Sequence, residues 1–186
     1  AAQSLTQTLR LEHVVDSLLD HINKIIPFDT ASVALLEDET RLELRAVRGN
    51  GYWAAFNALL ANQLTTNPLI QNLFSSCESI LIPKLVDHPA REIIPAVDEI
   101  QSWLVAPIVI GDKAIGVMWF GKKEPGFFDR KHVELTEALA GQAGVAIQNA
   151  RLFDQVRAGR ERLQTLSKQL VEIHENERRY IARELH

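Results

Sequence analysis

Apolar residues recur at helical spacing near the start of the chain. Leu11, Val14, Val15, Leu18, Leu19, Ile22, Ile25 and Ile26 form a stripe that Pro27 closes. The period then changes to two. "TASVALLED" and "RLELRAVRG", joined by the polar "EDET", predict a β-hairpin in which Ala31, Val33 and Leu35 face Leu42, Leu44 and Ala46. Residues 51–76 return to mixed helical patterning, and the clearest helix there is "NPLIQNLFSSC", with Asn67 suited to cap it and Pro68 to open its first turn. "SILIP" predicts a short buried strand, and "KLVDHPAREIIPAVDEIQ" a loop with helical turns. The strongest β signal is "SWLVAPIVIGDKAIGVMWFGKK", two apolar runs joined by "GDK", which predicts a second hairpin. "EPGFFD" breaks that pattern, and Asp129 then predicts an N-cap with Phe128 and Val133 as a hydrophobic staple.

No proline occurs from Asp129 to His186, and Gly141, Gly144 and Gly159 are the only weak helix residues of note. A single helix over that span would be about 85 Å long at 1.5 Å per residue. A domain of the preceding size is only roughly 35–40 Å across, so the C-terminal half of the helix is expected to project beyond it. Two apolar faces are legible. Leu139, Ala143, Ala146 and Ile147 form one, assigned to the sheet. The other runs from Leu135 to Tyr180 at alternating spacings of three and four. From Leu152 through Val156, Leu163, Leu166, Leu170 and Ile173 it is mostly leucine, isoleucine and valine. The charged runs "RAGRER" and "HENERR" keep the outer faces wet. A lone helix would leave this stripe in water at a cost of about 25 cal/mol per Å² of apolar area. It can be covered by folding back onto its own domain or by a second copy. Gly159 alone is a weak turn signal, which favours a parallel dimer with Gln142, Asn149 and Glu177 as register devices.

Composition narrows the class further. With 46% hydrophobic and 24% charged residues among 186, the chain has the make-up of an ordinary soluble protein of one domain plus an extra element. A formal charge of −4 gives no reason to expect nucleic-acid binding. A single cysteine, Cys77, excludes an internal disulfide framework and cysteine-cluster metal sites, and fits a buried thiol in a reducing cytoplasm. No apolar run approaches the roughly 20 residues of a membrane-spanning helix, so no membrane contact is expected in this window, although spans can lie upstream. The chain opens without an initiator methionine, and "ENERRYIARELH" stops with no helix-closing residue after Leu185. The expectation is a piece of a longer protein.

The first helix, "PFDTASVALLED", "RLELRAVRGNG", "LVAPIVIGDKAIGVMWFGKKEPGFFD" and "ELTEALAGQAGVAIQNARLFDQV" together resemble a GAF domain over roughly residues 5–155. The resemblance implies an α+β, PAS-related fold, an antiparallel sheet flanked by helices. Residues 156–186 would be a coiled-coil signalling helix. "ENERRYIARELH" is similar to the H-box of bacterial sensor histidine kinases of the subclass reading Glu-Arg-x-Arg-Ile-Ala-Arg-Glu-Leu-His-Asp. Glu177, Arg178, Ile181, Ala182, Arg183, Glu184, Leu185 and His186 match. Tyr180 departs from the pattern, and the final Asp lies beyond this chain. The resemblance implies that His186 is the phosphoacceptor, with Glu184 the only nearby acid. It also implies ATP and Mg²⁺ in the full-length kinase, a response-regulator receiver domain as partner, and a cytoplasmic location. A solvated helix histidine is the alternative for His186. The chain carries no Gly-rich or Asp-x-Gly nucleotide pocket, so it is not expected to phosphorylate itself.

The same resemblance places a ligand pocket on the sheet face away from the first and last helices. Trp53, Phe56, Phe74, Trp103 and Trp119 are the aromatic candidates to line it, with His88 in a nearby loop; such aromatics are more often simply core. His13, His21, His88 and His132 raise haem, but a solvated helix face explains the first two, and no cofactor is evident. Cys77 lacks the following histidine of bilin-binding relatives. The Asn-Lys-x-Phe-x-Asp-Glu constellation of cyclic-nucleotide binders is missing, and one cysteine is too few for the redox cycle of the sulfoxide-reductase relatives. The expected function is therefore the signal-input region of a dimeric sensor histidine kinase, taking a small ligand or a partner. The alternative is a ligand-free dimerisation module.

Overall fold

The computed structural model describes residues 2–38, 41–49, 67–92 and 99–184. The pocket candidates Trp53 and Phe56, and the terminal His186, lie outside the described residues. Five strands form one antiparallel sheet in the order β2-β1-β5-β4-β3. They are β1 (Thr30–Leu36), β2 (Leu42–Arg48), β3 (Ile80–Ile82), β4 (Ser102–Ile110) and β5 (Lys113–Lys122). Among the described residues three helices accompany them: α1 (Ala2–Ile25), α2 (Pro68–Ser76) and α3 (Arg130–Glu184). The loop after β3 holds short 3₁₀ turns at Leu85–Asp87 and Pro89–Glu92. The α+β expectation is met, and both sequence-predicted hairpins form.

The apolar runs of β4 and β5 are buried on both faces, and their alternation sorts side chains into two layers. Trp103, Val105, Val117 and Trp119 point to one side together with Ala34 of β1. There they meet Ile70 and Leu73 of α2, with Leu85 and Ile100 from the following loops. Leu104, Met118, Phe120 and Val33 occupy the other side and are fully buried. That side is covered by α1, whose buried residues are Val15, Leu19 and Ile22, and by the start of α3 through Ala140, Ala143 and Ile147. Ala143 and Ile147 are thus seated as their spacing predicts. Ala146 is instead exposed and Leu139 only half-buried.

The first hairpin differs from the expected facing. A register shift between Val33 and Ala34 pairs Leu44 with Ala34 and Leu42 with Leu36, while Ala46 pairs with Val33. One inserted residue inverts the faces beyond it. Leu42 and Leu44 therefore join the α2 side, whereas Ala46 stays with the α1 side.

Ion pairs fasten the edges. Arg48 Nη1 donates to Asp16 Oδ1 at 2.7 Å and its Nε to Asp20 Oδ1 at 2.9 Å, tying β2 to α1. The Arg48 hydrogen bond holds the Asp20 carboxyl below its ordinary range. Ahead of β1, Asp29 accepts from the Lys123 backbone N–H at 2.7 Å and from Lys122 Nζ at 3.2 Å. Burial disfavours the Asp29 charge, but these two donors outweigh it and lower its pKa below 3.8. The chain divides into two compact units, Ala1–Gln148 and Asn149–His186.

Candidate functional site

The α2 side of the sheet gathers three of the aromatic candidates. Trp103 and Trp119 come from adjacent strands, with Val105 directly opposite Trp119 and Gly121 opposite Trp103. Both indoles are buried, and half-buried Phe74 of α2 packs against the same cluster. α2 reaches this position through the caps its sequence predicts. Asn67 Oδ1 accepts from the Leu69 N–H at 3.0 Å, Pro68 opens the first turn, and Cys77 closes the helix in the left-handed region at φ 55°.

Two polar groups on this face stand out. The Trp103 indole N–H and the Ser32 hydroxyl are buried and have no hydrogen-bond partner among the described residues. Ser32 lies directly opposite Trp119 across the β1–β5 pairing. A buried donor left unmade costs about 1–3 kcal/mol, so such groups are found where a ligand, a water or another segment completes them. Sequence reasoning marked Trp103 for its ring. It missed Ser32, because a serine within a strand gives no signal of its own until the pairing register is known.

His88 is half-buried at the end of the first 3₁₀ turn after β3. Three other histidines have local roles. His132 sits in the first turn of α3, where its backbone N–H donates to Asp129 Oδ1 at 3.0 Å and its ring Nδ1 lies 2.8 Å from the same oxygen. Asp129 is thus the N-cap its position predicts, and the His132 N–H and ring together lower its pKa. His13 and His21 lie exposed on α1, each with its ring turned to Ser17. No group of three His, Cys, Asp or Glu among the described residues could hold a metal ion.

A cavity of about 830 Å³ lies elsewhere in the Ala1–Gln148 unit, between the chain leaving α2, the outer edge of β4 and the first turns of α3. Of the described aromatic candidates, Phe74, Trp103 and Trp119 do not line it. It went unnoticed in the sequence because its walls come from residues 77–81, 107–109 and 130–141, which only the fold brings together.

The seam candidates all lie on α3. Leu152, Val156, Leu163, Leu166, Leu170 and Ile173 all expose half or more of their surface, with Leu163 at 69% and Ile173 at 61%. Phe153 and Val171, off the stripe, are exposed as well. Glu184 is the last described residue of α3. No helix among the described residues is long and apolar enough to cross a membrane.

A family model for the GAF domain matches residues 8–148. Solved structures share the architecture. A domain assigned to a two-component sensor histidine kinase of Sinorhizobium meliloti 1021 superposes with a TM-score of 0.65 at 21% identity, covering 78% of this chain and 97% of that one. The GAF domain region of a Geobacter sulfurreducens PCA protein, classed as a membrane protein, gives 0.65 at 24% identity over 77% and 97%. A type II free methionine-R-sulfoxide reductase of Thermoplasma acidophilum gives 0.64 at 13% identity over 77% and 96%. At such identities the likeness is one of fold. No curated protein matches.

Proposed function

The chain belongs to the GAF domain family, and on that premise we propose that it is the signal-input region of a dimeric, cytoplasmic sensor histidine kinase. Its signal would enter at the α2 side of the sheet, and His186 would receive the phosphoryl group. The observation that carries this reading is the make-up of α3. Its first turns bury Ala140, Ala143 and Ile147, and it continues with an exposed heptad stripe into the H-box-like residues Glu177 to Glu184. A GAF fold joined to that motif is how a sensor kinase of this kind is put together.

In this reading a small ligand or a partner acts on the layer of Trp103, Trp119 and Phe74, where the Trp103 indole N–H and the Ser32 hydroxyl offer unspent hydrogen-bonding capacity. Two copies of α3 pair along Leu152 to Ile173. A change at the sheet shifts the helix pair and alters how His186 meets an ATP-binding domain downstream. The neutral His186 imidazole attacks the γ-phosphorus, the bond to the ADP oxygen breaks, and Glu184, the nearest acid before it in the sequence, would orient the ring or take its proton. The phosphoryl group then passes to a response-regulator aspartate.

A chain carrying the segment downstream of His186, incubated with Mg²⁺ and labelled ATP, is expected to acquire an acid-labile, base-stable phosphate. His186→Gln is expected to abolish that label, and Glu184→Gln to slow its formation by about a hundredfold if the acid takes the proton. A label that persists in His186→Gln contradicts the assignment. A second reading, a GAF module that dimerises without a ligand, is favoured by the dense burial of Trp103 and Trp119. It predicts dimer formation with no label at all.

A further inference from the structure

We propose that the cavity beside the β4 edge is a binding site for a small organic cation with an apolar body, separate from the aromatic face of the sheet. Its volume of about 830 Å³ falls within the roughly 300–1,000 Å³ of small-molecule sites. The floor is apolar: Leu81 of β3, Pro107 and Val109 of β4, and Val133 of α3. β3 pairs with Trp103 to Val105 of β4, so among the described residues the outer edge of β4 from Pro107 onward has no strand beside it. Cys77 to Ser79 run past that edge and leave the gap open, with the Cys77 thiol 3.8 Å from the Asp112 carbonyl oxygen.

Charge selects the class of occupant. Glu78, Glu134 and Glu137 surround the floor, and among the described lining residues Arg130 alone opposes them, a formal excess of two negative charges. Arg130 is itself 93% exposed and reaches Glu134 at 3.8 Å, a contact too loose and too wet to neutralise the rim. Glu78 and Glu137 have no ion-pair partner among the described residues. Ser79 also borders the cavity, and its hydroxyl oxygen is buried with no hydrogen-bond partner among the described residues. A bare metal ion does not fit, since no three ligating side chains converge among the described residues. An ammonium head among the carboxylates, with its hydrocarbon on Leu81, Pro107, Val109 and Val133, satisfies both halves of the site.

Cys77 is the chain's single cysteine and half-buried at the cavity wall, so it serves as a built-in reporter. Phenylbutylammonium at millimolar concentration is expected to slow carbamidomethylation of Cys77 by neutral iodoacetamide. At equal concentration, the isosteric phenylbutyrate should protect about threefold to tenfold less, as two exposed carboxylates allow. In the unaltered chain the amide resonances of Ser79, Val133 and Glu137 should shift with the cation. The Glu134→Gln, Glu137→Gln double variant, both positions being exposed, should lose the preference while keeping its helical circular dichroism. Equal protection by cation and anion, no protection, or resonance shifts confined to the α2 side would each overturn the proposal. None of these outcomes touches the phosphoacceptor reading, which is tested at His186.

Discussion

Asp29 shows how one side chain couples two strands. It precedes β1, yet it accepts hydrogen bonds from Lys122 and Lys123 at the end of β5, so it closes the corner where the two strands meet. Its folded pKa lies below 3.8 because the two donors outweigh its partial burial. The unfolded chain therefore binds its proton first as the pH falls. The stability from these contacts is complete above 3.8 and is lost as the pH drops through the lower, folded value. Urea denaturation between about pH 5 and pH 2.5 should show stability falling more steeply in the native chain than in Asp29→Asn. Parallel slopes would mean that the carboxylate does not hold that corner. Nothing in the sequence announced this role, since a lone aspartate before a strand reads as an ordinary turn residue. The Asn67 and Asp129 caps, by contrast, were legible because capping is set within three residues of sequence.

At the scale of elements, α3 meets the sheet at a glycine. A Cβ on Gly144 would stand 2.6 Å from the Val109 carbonyl oxygen and 3.2 Å from Ile110 Cγ1, so the helix can seat there only without a side chain. Gly141, one turn earlier, would place its Cβ in open space. The same substitution should thus have opposite effects at the two positions. Gly144→Ala is expected to cost about 1–3 kcal/mol through overpacking against backbone. Gly141→Ala is expected to add up to about 1 kcal/mol through helix propensity. Thermal melts of the two variants check this, and a destabilised Gly141→Ala or a neutral Gly144→Ala would contradict the packing.

The elements themselves were largely readable. The hairpin of β4 and β5 follows from its uninterrupted apolar runs, and α1 from its stripe. The facing of the first hairpin was not readable, because the bulge at Arg45, opposite the step from Val33 to Ala34, leaves no residue signature and its effect shows only in the register. The cavity escaped for a related reason: Glu78 and Glu137 are neighbours only once the chain has folded.

For the whole molecule, the question is what the outer stripe of α3 is for. Among the described residues the buried positions of α3 end at Ile147, and Leu163, Leu166, Leu170 and Ile173 lie beyond them. Each of these keeps more than half its surface in water, and burying it against another chain is worth on the order of 1 kcal/mol. The proposed parallel, in-register pair would cover the stripe and would give the GAF domain a means of acting on His186. Cysteine pairing tests that claim most directly. In a Cys77→Ser background, Leu166→Cys should be oxidised almost completely to a disulfide-linked dimer, because each copy would face its own counterpart across the seam. Lys168→Cys, on the outer face of the same heptad, should remain a thiol. Equal cross-linking at both positions, or none at Leu166→Cys at concentrations where the chain should be paired, would contradict the account.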